Sequence, residues 1–254
     1  MQAMILAAGI GSRLRHITSD IPKCLVKVAG RSVLEWNIEK LKNVGVSRLV
    51  INLHHRARQV SDFLDQNNDF GITILRSHEP ELLNTGGGIK NAEASFLAHE
   101  PIIIINADIL SGVNLLAASD FHRSNDAMAT LITRSPTDDR VLLFHQKTGH
   151  LHGWQNASQR SIVPSDKSVS DDSLIARGFC GIQIISPKVL EFFAPSSEKE
   201  SSISGYLRAV SENQKILEFQ ANADSWFDIG TPEQLSECRE HFSSEDVIDS
   251  GGAS

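Results

Sequence analysis

Residues 4–14 read Met-Ile-Leu-Ala-Ala-Gly-Ile-Gly-Ser-Arg-Leu, an apolar segment that runs directly into a loop with two glycines. The apolar half predicts a short buried strand. The loop reaches Arg13, and a Pro-Lys pair follows at Lys23. Small residues let the backbone approach a bound group closely, and backbone amides that turn inward form an anion nest. The segment therefore predicts a first strand that ends in an anion-binding loop.

Two better-known phosphate loops do not fit this segment. A P-loop needs Gly-Lys-Ser/Thr, whereas Gly11 is followed by Ser12 and Arg13. A Rossmann Gly-x-Gly-x-x-Gly loop needs a third glycine at the position that Leu14 occupies. The missing glycine disfavours an NAD-linked oxidoreductase.

Strands and helices alternate after this loop. The predicted strands are 48–51, 72–75 and 102–105, and the predicted helices are 33–44, 57–66 and 88–97, the last opened by the glycines at 86–88. This alternation predicts an α/β fold with a three-layer, Rossmann-like architecture and a mostly parallel sheet. In such sheets a ligand binds at the carboxyl ends of the strands, where the glycine loop is expected.

The second half of the chain has shorter predicted strands and more polar connections. Residues 1–242 are predicted to form one domain that includes a small lobe at 127–185. Inside the lobe, the Ser/Asp-rich segment 158–173 predicts a flexible loop or an antiparallel lid. Further helices are predicted at 187–193, 203–212 and 232–242, followed by a disordered tail at 243–254.

The composition narrows the classes of partner. The net charge is −7 and the pI is about 5.8, which disfavours nucleic acids and anionic membranes as partners. Residues 1–31 nevertheless hold five basic side chains and one acidic side chain, Asp20, which indicates either a small anionic substrate or a solvated charged loop.

The cysteines and the apolar segments bear on the location of the protein. Three cysteines without a C-x-x-C pair predict reduced thiols, and no leader or membrane-length apolar run is found, so we expect a cytoplasmic protein. The oligomeric state is left open.

Four ordered motifs resemble the signature of the sugar-1-phosphate nucleotidyltransferases. They are Leu6-Ala-Ala-Gly-x-Gly-x-Arg-Leu with Pro22-Lys23, Glu81-x-x-x-Thr-Gly-Gly-Gly, Asn106-x-Asp108, and Trp226-x-Asp228-x-Gly-Thr-Pro. The resemblance extends from residue 1 to about 240 and is nearest to a short branch with N-acetylmuramate-1-phosphate uridylyltransferases and mannose-1-phosphate guanylyltransferase-like proteins. It implies the nucleotide-diphospho-sugar transferase fold with a small sugar-side lobe. It also implies a nucleoside triphosphate and a sugar 1-phosphate as partners, with Mg²⁺ as cofactor.

The resemblance implies roles for individual residues. Arg13 and Lys23 are the expected catalytic residues: Arg13 would hold the β and γ phosphates, and Lys23 would bridge the nucleophile and the α-phosphate. The expected nucleotide-binding residues are Leu6, Ala7, Ala8, Gly9, Gly11, Ser12, Arg13, Thr85, Gly86 and Gly87. The glycines from 86 to 88 are expected to face the base.

The expected metal ligands are the carboxylates of Asp108 and Asp228. Taken without the resemblance, Asp108 also fits a helix N-cap and Asp228 fits a turn before a helix. Asn156 and Gly181 are at the positions where related enzymes contact the sugar. Phe179 is expected to belong to the core.

The resemblance favours UTP and N-acetylmuramate 1-phosphate as substrates, in cell-wall recycling. GTP with mannose or heptose 1-phosphate, and CTP with phosphocholine, remain alternatives within the same reaction class. A non-catalytic nucleotide-sugar sensor is an alternative from another class, although Lys23, Asp108 and Asp228 are all present. Two departures concern the substrate: Ala107 replaces the usual glycine of Asn-Gly-Asp, and no Glu-Lys-Pro segment supplies a second lysine.

Overall fold

The computed structural model describes residues 1–14, 18–162, 171–221 and 225–245. Its strands are β1 (Gln2–Leu6), β2 (Lys27–Val28), β3 (Arg31–Ser32), β4 (Arg48–Leu53), β5 (Thr73–His78), β6 (Ile102–Asn106), β7 (Ile109–Ser111), β8 (Ala129–Arg134), β9 (Val141–His145), β10 (Leu151–Gln155), β11 (Arg160–Ile162), β12 (Leu174–Ile185), β13 (Ile216–Gln220) and β14 (Trp226–Asp228). Its α-helices are α1 (Val33–Asn43), α2 (Ala57–Gln66), α3 (Asn84–Asn91), α4 (Leu115–Ser124), α5 (Ser202–Ser211) and α6 (Pro232–Glu245).

The first strand lies at the centre of a parallel group. β1 pairs with β4 on one side and with β6 on the other, and β5 pairs with β4, all in parallel. Ile102 to Ile105 in β6 are all buried because helices cover both faces of the sheet. Alternate residues enter different cores: Ile5 packs with residues of α1, α2 and α4, whereas Met4 packs with residues of α3 and α5. The predicted three-layer α/β fold is confirmed.

A long strand connects this parallel group to an antiparallel group. The second half of β12 pairs with β6, and its first half pairs with β9, while β8 lies along its other edge. β10 and β11 extend the sheet beyond β9, and β13 adds to β8 in parallel. The segment 127–185, predicted as a small lobe, thus contributes strands that continue the central sheet.

Several predicted boundaries differ from the structure. Helix α3 begins at Asn84, so the prediction of 88–97 is wrong in placing the glycine run before the helix. Helix α4 was not predicted, and the segment 187–193 forms a 3₁₀ helix at Pro187–Phe192. The last helix continues to Glu245, three residues into the predicted tail. Residues 163–170 of the predicted flexible segment and 246–254 of the tail lie outside the described residues.

A buried histidine joins α4 to the sheet. His122 is 2% exposed; its Nδ1 lies 3.0 Å from the Thr130 hydroxyl, and its Nε2 lies 3.3 Å from the Ser186 hydroxyl. Burial, and secondarily the charge of Arg123, lower the pKa of His122 from 6.5 to about 4. The imidazole is therefore neutral in the folded protein near neutral pH.

This pKa makes folding stability depend on pH. Between pH 6.5 and 4 the unfolded chain binds a proton that the folded chain rejects, so stability falls as pH falls. We expect His122 alone to account for about 2 kcal/mol of lost unfolding free energy between pH 7 and pH 5. Urea unfolding of the wild type and of His122→Asn at both pH values measures this difference. Equal pH dependence in the two proteins would contradict the assignment.

Candidate active site

The glycine loop follows β1 at the carboxyl edge of the parallel strands. Gly11 has a φ of +69°, and a Cβ there would lie 3.1 Å from the Cβ of Lys23. Both the backbone conformation and the close approach therefore favour glycine. A 3₁₀ turn at Ser12–Leu14 follows, and the Leu14 N–H donates to the Gly11 carbonyl at 3.0 Å. The loop is thus held against the segment that carries Lys23.

Lys23 lies between the two predicted metal ligands. Its Nζ donates to Oδ2 of Asp108 at 2.5 Å and lies 3.8 Å from Oδ1 of Asp228. The Lys23 side chain is 12% exposed, so this contact is shielded from bulk water. The structure therefore brings together three residues from distant parts of the chain.

A two-stranded ladder brings the carboxylates together. Asp108 lies between β6 and β7, and Asp228 is the last residue of β14. β14 pairs antiparallel with β7, so that Asp228 lies opposite Ile109, and the Ile229 N–H donates to the Asp108 carbonyl at 3.0 Å. The ladder explains how two carboxylates far apart in sequence meet at the end of β6.

The electrostatics around Asp228 favour a bound cation. Burial raises the pKa of Asp228, and the charge of Asp108 raises it further, whereas Lys23 and Arg13 lower it. Oδ1 of Asp228 is buried and has no hydrogen-bond partner among the described residues. A buried acceptor without a donor is costly, and a cation would relieve that cost.

Arg13 reaches the same site. A Cβ on Gly230 would lie 2.8 Å from Nη2 of Arg13 and 2.9 Å from Oδ1 of Asp228. Glycine at this position therefore leaves the space in which the guanidinium approaches the carboxylate. Both predicted catalytic residues, Arg13 and Lys23, lie beside the predicted metal ligands.

A first cavity of about 480 Å³ borders the glycine loop. It is lined by residues of the loop, of β6 and of the segment before α3: Leu6, Ala7, Ala8, Gly9, Lys23, Cys24, Asn52, Leu82, Asn84, Thr85, Asn106, Ala107, Asp108, Arg140 and Ser201. This cavity thus contains Asp108 together with six residues that were predicted to bind the nucleotide or to act in catalysis: Leu6, Ala7, Ala8, Gly9, Lys23 and Thr85. The backbone of Ser12 is described, but its side chain lies outside the described part of the chain.

A buried polar network that the sequence analysis missed fixes the wall of this cavity. The Ala7 N–H donates to Oδ1 of Asn52 at 2.6 Å, and Nδ2 of Asn52 donates to Oε1 of Glu79 at 2.6 Å. Oε2 of Glu79 then accepts from the Leu83 N–H at 3.0 Å. Asn52 and Glu79 are 2% and 4% exposed. The sequence signal that could have found them is a polar residue in an apolar strand or directly after one, because such a residue is seldom buried without a partner.

Gly86 and Gly87 are packing residues in this structure. The Gly86 N–H donates to the Glu200 carbonyl at 2.9 Å, and a Cβ on Gly87 would lie 2.7 Å from the Glu198 carbonyl oxygen. Both glycines are buried inside α3, where they let the segment before α5 approach closely, and neither lines the first cavity. Thr85 does line it, and its hydroxyl accepts from the Ser202 N–H at 3.0 Å.

A second cavity of about 440 Å³ lies on the antiparallel side and shares Asn106, Asp108, Arg140 and Ser201 with the first. Gly181 lines it, and so do Phe179, Trp154 and Trp226. Arg13, predicted to bind the nucleotide, also lines this cavity and does not line the first. Asn156 does not line it, because its Oδ1 accepts from the N–H groups of Ser158 and Gln159 in the turn between β10 and β11. Gly181 thus lines this cavity as a predicted sugar-site residue, whereas Trp154 and Trp226 were not predicted there. Phe179, expected to belong to the core, packs against it and also lines the cavity.

The described residues contain no group of three or more His, Cys, Asp or Glu side chains that could hold a metal ion. No helix in the same part of the chain is long and apolar enough to cross a membrane. Any cation at Asp108 and Asp228 would therefore need ligands from water or from a bound molecule.

Comparisons with known proteins agree with this architecture. An N-acetylmuramate alpha-1-phosphate uridylyltransferase of Neisseria meningitidis is 29% identical over 244 residues, covering 94% of this chain and 97% of that protein. Mannose-1-phosphate guanylyltransferase 1 of Arabidopsis thaliana is 28% identical over 240 residues, covering 91% of this chain. The chain spans only 62% of that longer relative.

Two solved structures share the fold. HddC from Yersinia pseudotuberculosis complexed with GMP-PN has a TM-score of 0.72 and 24% identity, covering 95% of this chain and 99% of that one. UDP-glucose pyrophosphorylase complexed with UDP-glucose has a TM-score of 0.74 and 16% identity, covering 96% and 98%. The family model described as nucleotidyl transferase matches residues 2–140, which include the glycine loop, Lys23 and Asp108. The chain belongs to the nucleotidyl transferase family.

Proposed function

We propose that this protein transfers a nucleotidyl group from a nucleoside triphosphate to a sugar 1-phosphate and releases pyrophosphate. The observation that carries the proposal is that Lys23, which lines the first cavity, contacts Asp108, which lines both cavities, and lies 3.8 Å from Asp228, which lines the second. Both reactants are anions, and their repulsion must be cancelled where the α-phosphate is attacked. A lysine that lines the nucleotide cavity and contacts a carboxylate shared with the acceptor cavity meets that requirement.

The residues around Lys23 have complementary roles in this proposal. The amides of the glycine loop and the guanidinium of Arg13 bind the β and γ phosphates and so position the leaving group. Lys23 contacts the sugar phosphate and the α-phosphate together, and its charge stabilises the transition state in which negative charge accumulates between them. Asn52, which Glu79 holds in place, forms part of the wall of the nucleotide cavity and accepts from the loop at Ala7.

We propose Mg²⁺ as the cofactor, held by Asp108 and Asp228. Two carboxylates fit an ion that takes one or two protein carboxylates and keeps its other positions for phosphates and water. The unpartnered Oδ1 of Asp228 and the position of both carboxylates around Lys23 support this assignment. When bound, Mg²⁺ neutralises phosphate charge.

We propose UTP and N-acetylmuramate 1-phosphate as the substrates, with a role in cytoplasmic cell-wall recycling. The Neisseria meningitidis relative supports this choice because this chain covers 97% of its length, against 62% of the Arabidopsis thaliana guanylyltransferase. GTP with mannose or heptose 1-phosphate, and CTP with phosphocholine, are the alternatives within the same reaction.

A pyrophosphate-release assay tests the proposal. UTP, GTP, CTP, ATP and dTTP are each combined with a panel of sugar 1-phosphates and phosphocholine in the presence of Mg²⁺. Release that requires one base and one acceptor would support the transferase and identify both substrates. If the protein binds nucleotide but releases no pyrophosphate with any combination, the proposal is overturned in favour of a nucleotide-sugar sensor.

Lys23→Ala tests the lysine. We expect kcat to fall about 100- to 1000-fold, as for loss of one group that stabilises transition-state charge, with a much smaller rise in KM for the triphosphate. Lys27→Ala is the matched control, because Lys27 is an exposed lysine four residues away on β2. A change confined to KM would make Lys23 a binding residue only.

Asp108→Asn tests the proposed metal site. The substitution keeps the size of the side chain but removes its charge, so we expect Mg²⁺-dependent turnover to fall about a thousandfold or more. The Tm should change little. Asp120→Asn on α4 is the control, since Asp120 is 78% exposed. Turnover retained in the Asp108 variant would remove that residue from the metal site.

A further inference from the structure

Arg134 is fixed at the end of the second cavity. It is the last residue of β8, and its Cζ lies 3.8 Å from the centroid of the Trp226 ring. That ring is itself held in place, because Nε1 of Trp226 donates to the Cys180 carbonyl at 2.9 Å. A guanidinium stacked on an indole that is also hydrogen-bonded presents its donors in a defined direction.

The charge of Arg134 is not balanced by a carboxylate among the described residues. Its Nη2 donates to the Thr137 hydroxyl at 2.6 Å, and its buried Nε has no hydrogen-bond partner there. Arg177 shows the usual arrangement on the neighbouring strand, with Nε 2.6 Å from Oε1 of Glu218. Arg134 therefore differs from a structural arginine in lacking an internal counter-ion.

The carboxylates that line the second cavity have other partners. Asp108 accepts from Lys23, and Oδ1 of Asp138 accepts from the Arg140 N–H at 2.9 Å. Asp228 lies beside Lys23 and Arg13, whose charges lower its pKa. The acidic residues of the cavity thus lie beside Lys23 and Arg13 or bond within a turn. Arg134 keeps guanidinium N–H donors that no carboxylate of the cavity accepts from.

Strand β14 sets the distance between the two ends of the cavity. Trp226 and Asp228 are two residues apart, so they face the same side of the strand, about 7 Å apart. A sugar whose 1-phosphate lies at Lys23 and Asp228 would cross this interval, and its remote substituents would reach the guanidinium stacked on Trp226. Arg134 is therefore placed to contact the acceptor at the end opposite its phosphate.

We propose that Arg134 determines acceptor specificity by binding a carboxylate carried by the sugar. This inference rests on the proposed function and adds to it the residue that selects a sugar 1-phosphate with a second, acidic substituent over a neutral one. A carboxylate accepts two parallel hydrogen bonds from a guanidinium, which a neutral hydroxyl does not do. Trp226 is the positioning residue that holds the guanidinium in place.

Two pairs of acceptors that differ by an acidic group test the proposal. Glucuronic acid 1-phosphate is compared with glucose 1-phosphate, and N-acetylmuramate 1-phosphate with N-acetylglucosamine 1-phosphate, in wild type, Arg134→Gln and Arg134→Lys. We expect wild type to prefer the acidic member of at least one pair about tenfold to a hundredfold in kcat/KM. Arg134→Gln should abolish that preference through KM, with the neutral acceptor little affected, and Arg134→Lys should restore part of it.

Controls separate this inference from folding and from the proposed function. Arg58→Gln removes an arginine that is 93% exposed on α2 and should leave both acceptors unchanged. Calorimetric titration of each acceptor, together with the Tm of each variant, reads binding independently of turnover. A wild type that binds and uses the neutral members equally well, or an Arg134→Gln variant that loses both members equally, would overturn the inference while leaving the transferase intact. Absence of pyrophosphate release with every acceptor would instead overturn the proposed function, and the titrations alone would then decide whether Arg134 selects acids.

Discussion

Two partly buried carboxylates lie on either side of one ammonium group, and this balance of charge organises the site. Asp108 and Asp228 would repel each other in a partly desolvated position, and Lys23 offsets that repulsion at 2.5 and 3.8 Å. To reach this arrangement, β7 and β14 must pair and the glycine loop must pack against Lys23. Asp108 lines both cavities, so this charge cluster lies where they adjoin.

The mixed sheet places one cavity beside each of its two halves. Parallel strands end together at the glycine loop and produce the first cavity, as expected for ligands at the carboxyl edge. β12 pairs with both β6 and β9 and carries Gly181 to the second cavity, which Trp154 and Trp226 also line. Because one strand belongs to both groups, the positions of the two cavities are coupled through the backbone.

Much of this arrangement was predictable from local patterns. Buried strands such as β6 read as continuous apolar runs, and the glycine loop follows directly from the residues. Lys23, Asp108 and Asp228 were singled out only because their motifs resemble those of a known family. The glycines of α3 were misread, because helix propensity places glycine outside helices. In the structure, the close approach of residues 198–201 to α3 leaves no room for a Cβ at Gly86 or Gly87, and that packing outweighs the propensity.

The alternation of apolar strand and helix patterns in the sequence was enough to establish the α/β class. The order of its motifs was enough to indicate the family and the residues of the central charge cluster. Periodicity reports which face of an element is buried, and a motif reports which atoms lie near each other along the chain. The Asn52–Glu79 network, the packing role of Gly86 and the stacking of Arg134 on Trp226 follow from contacts between residues distant in sequence. Such contacts depend on strand register and helix position, which are set by the packing of the whole core and leave no local pattern in the chain.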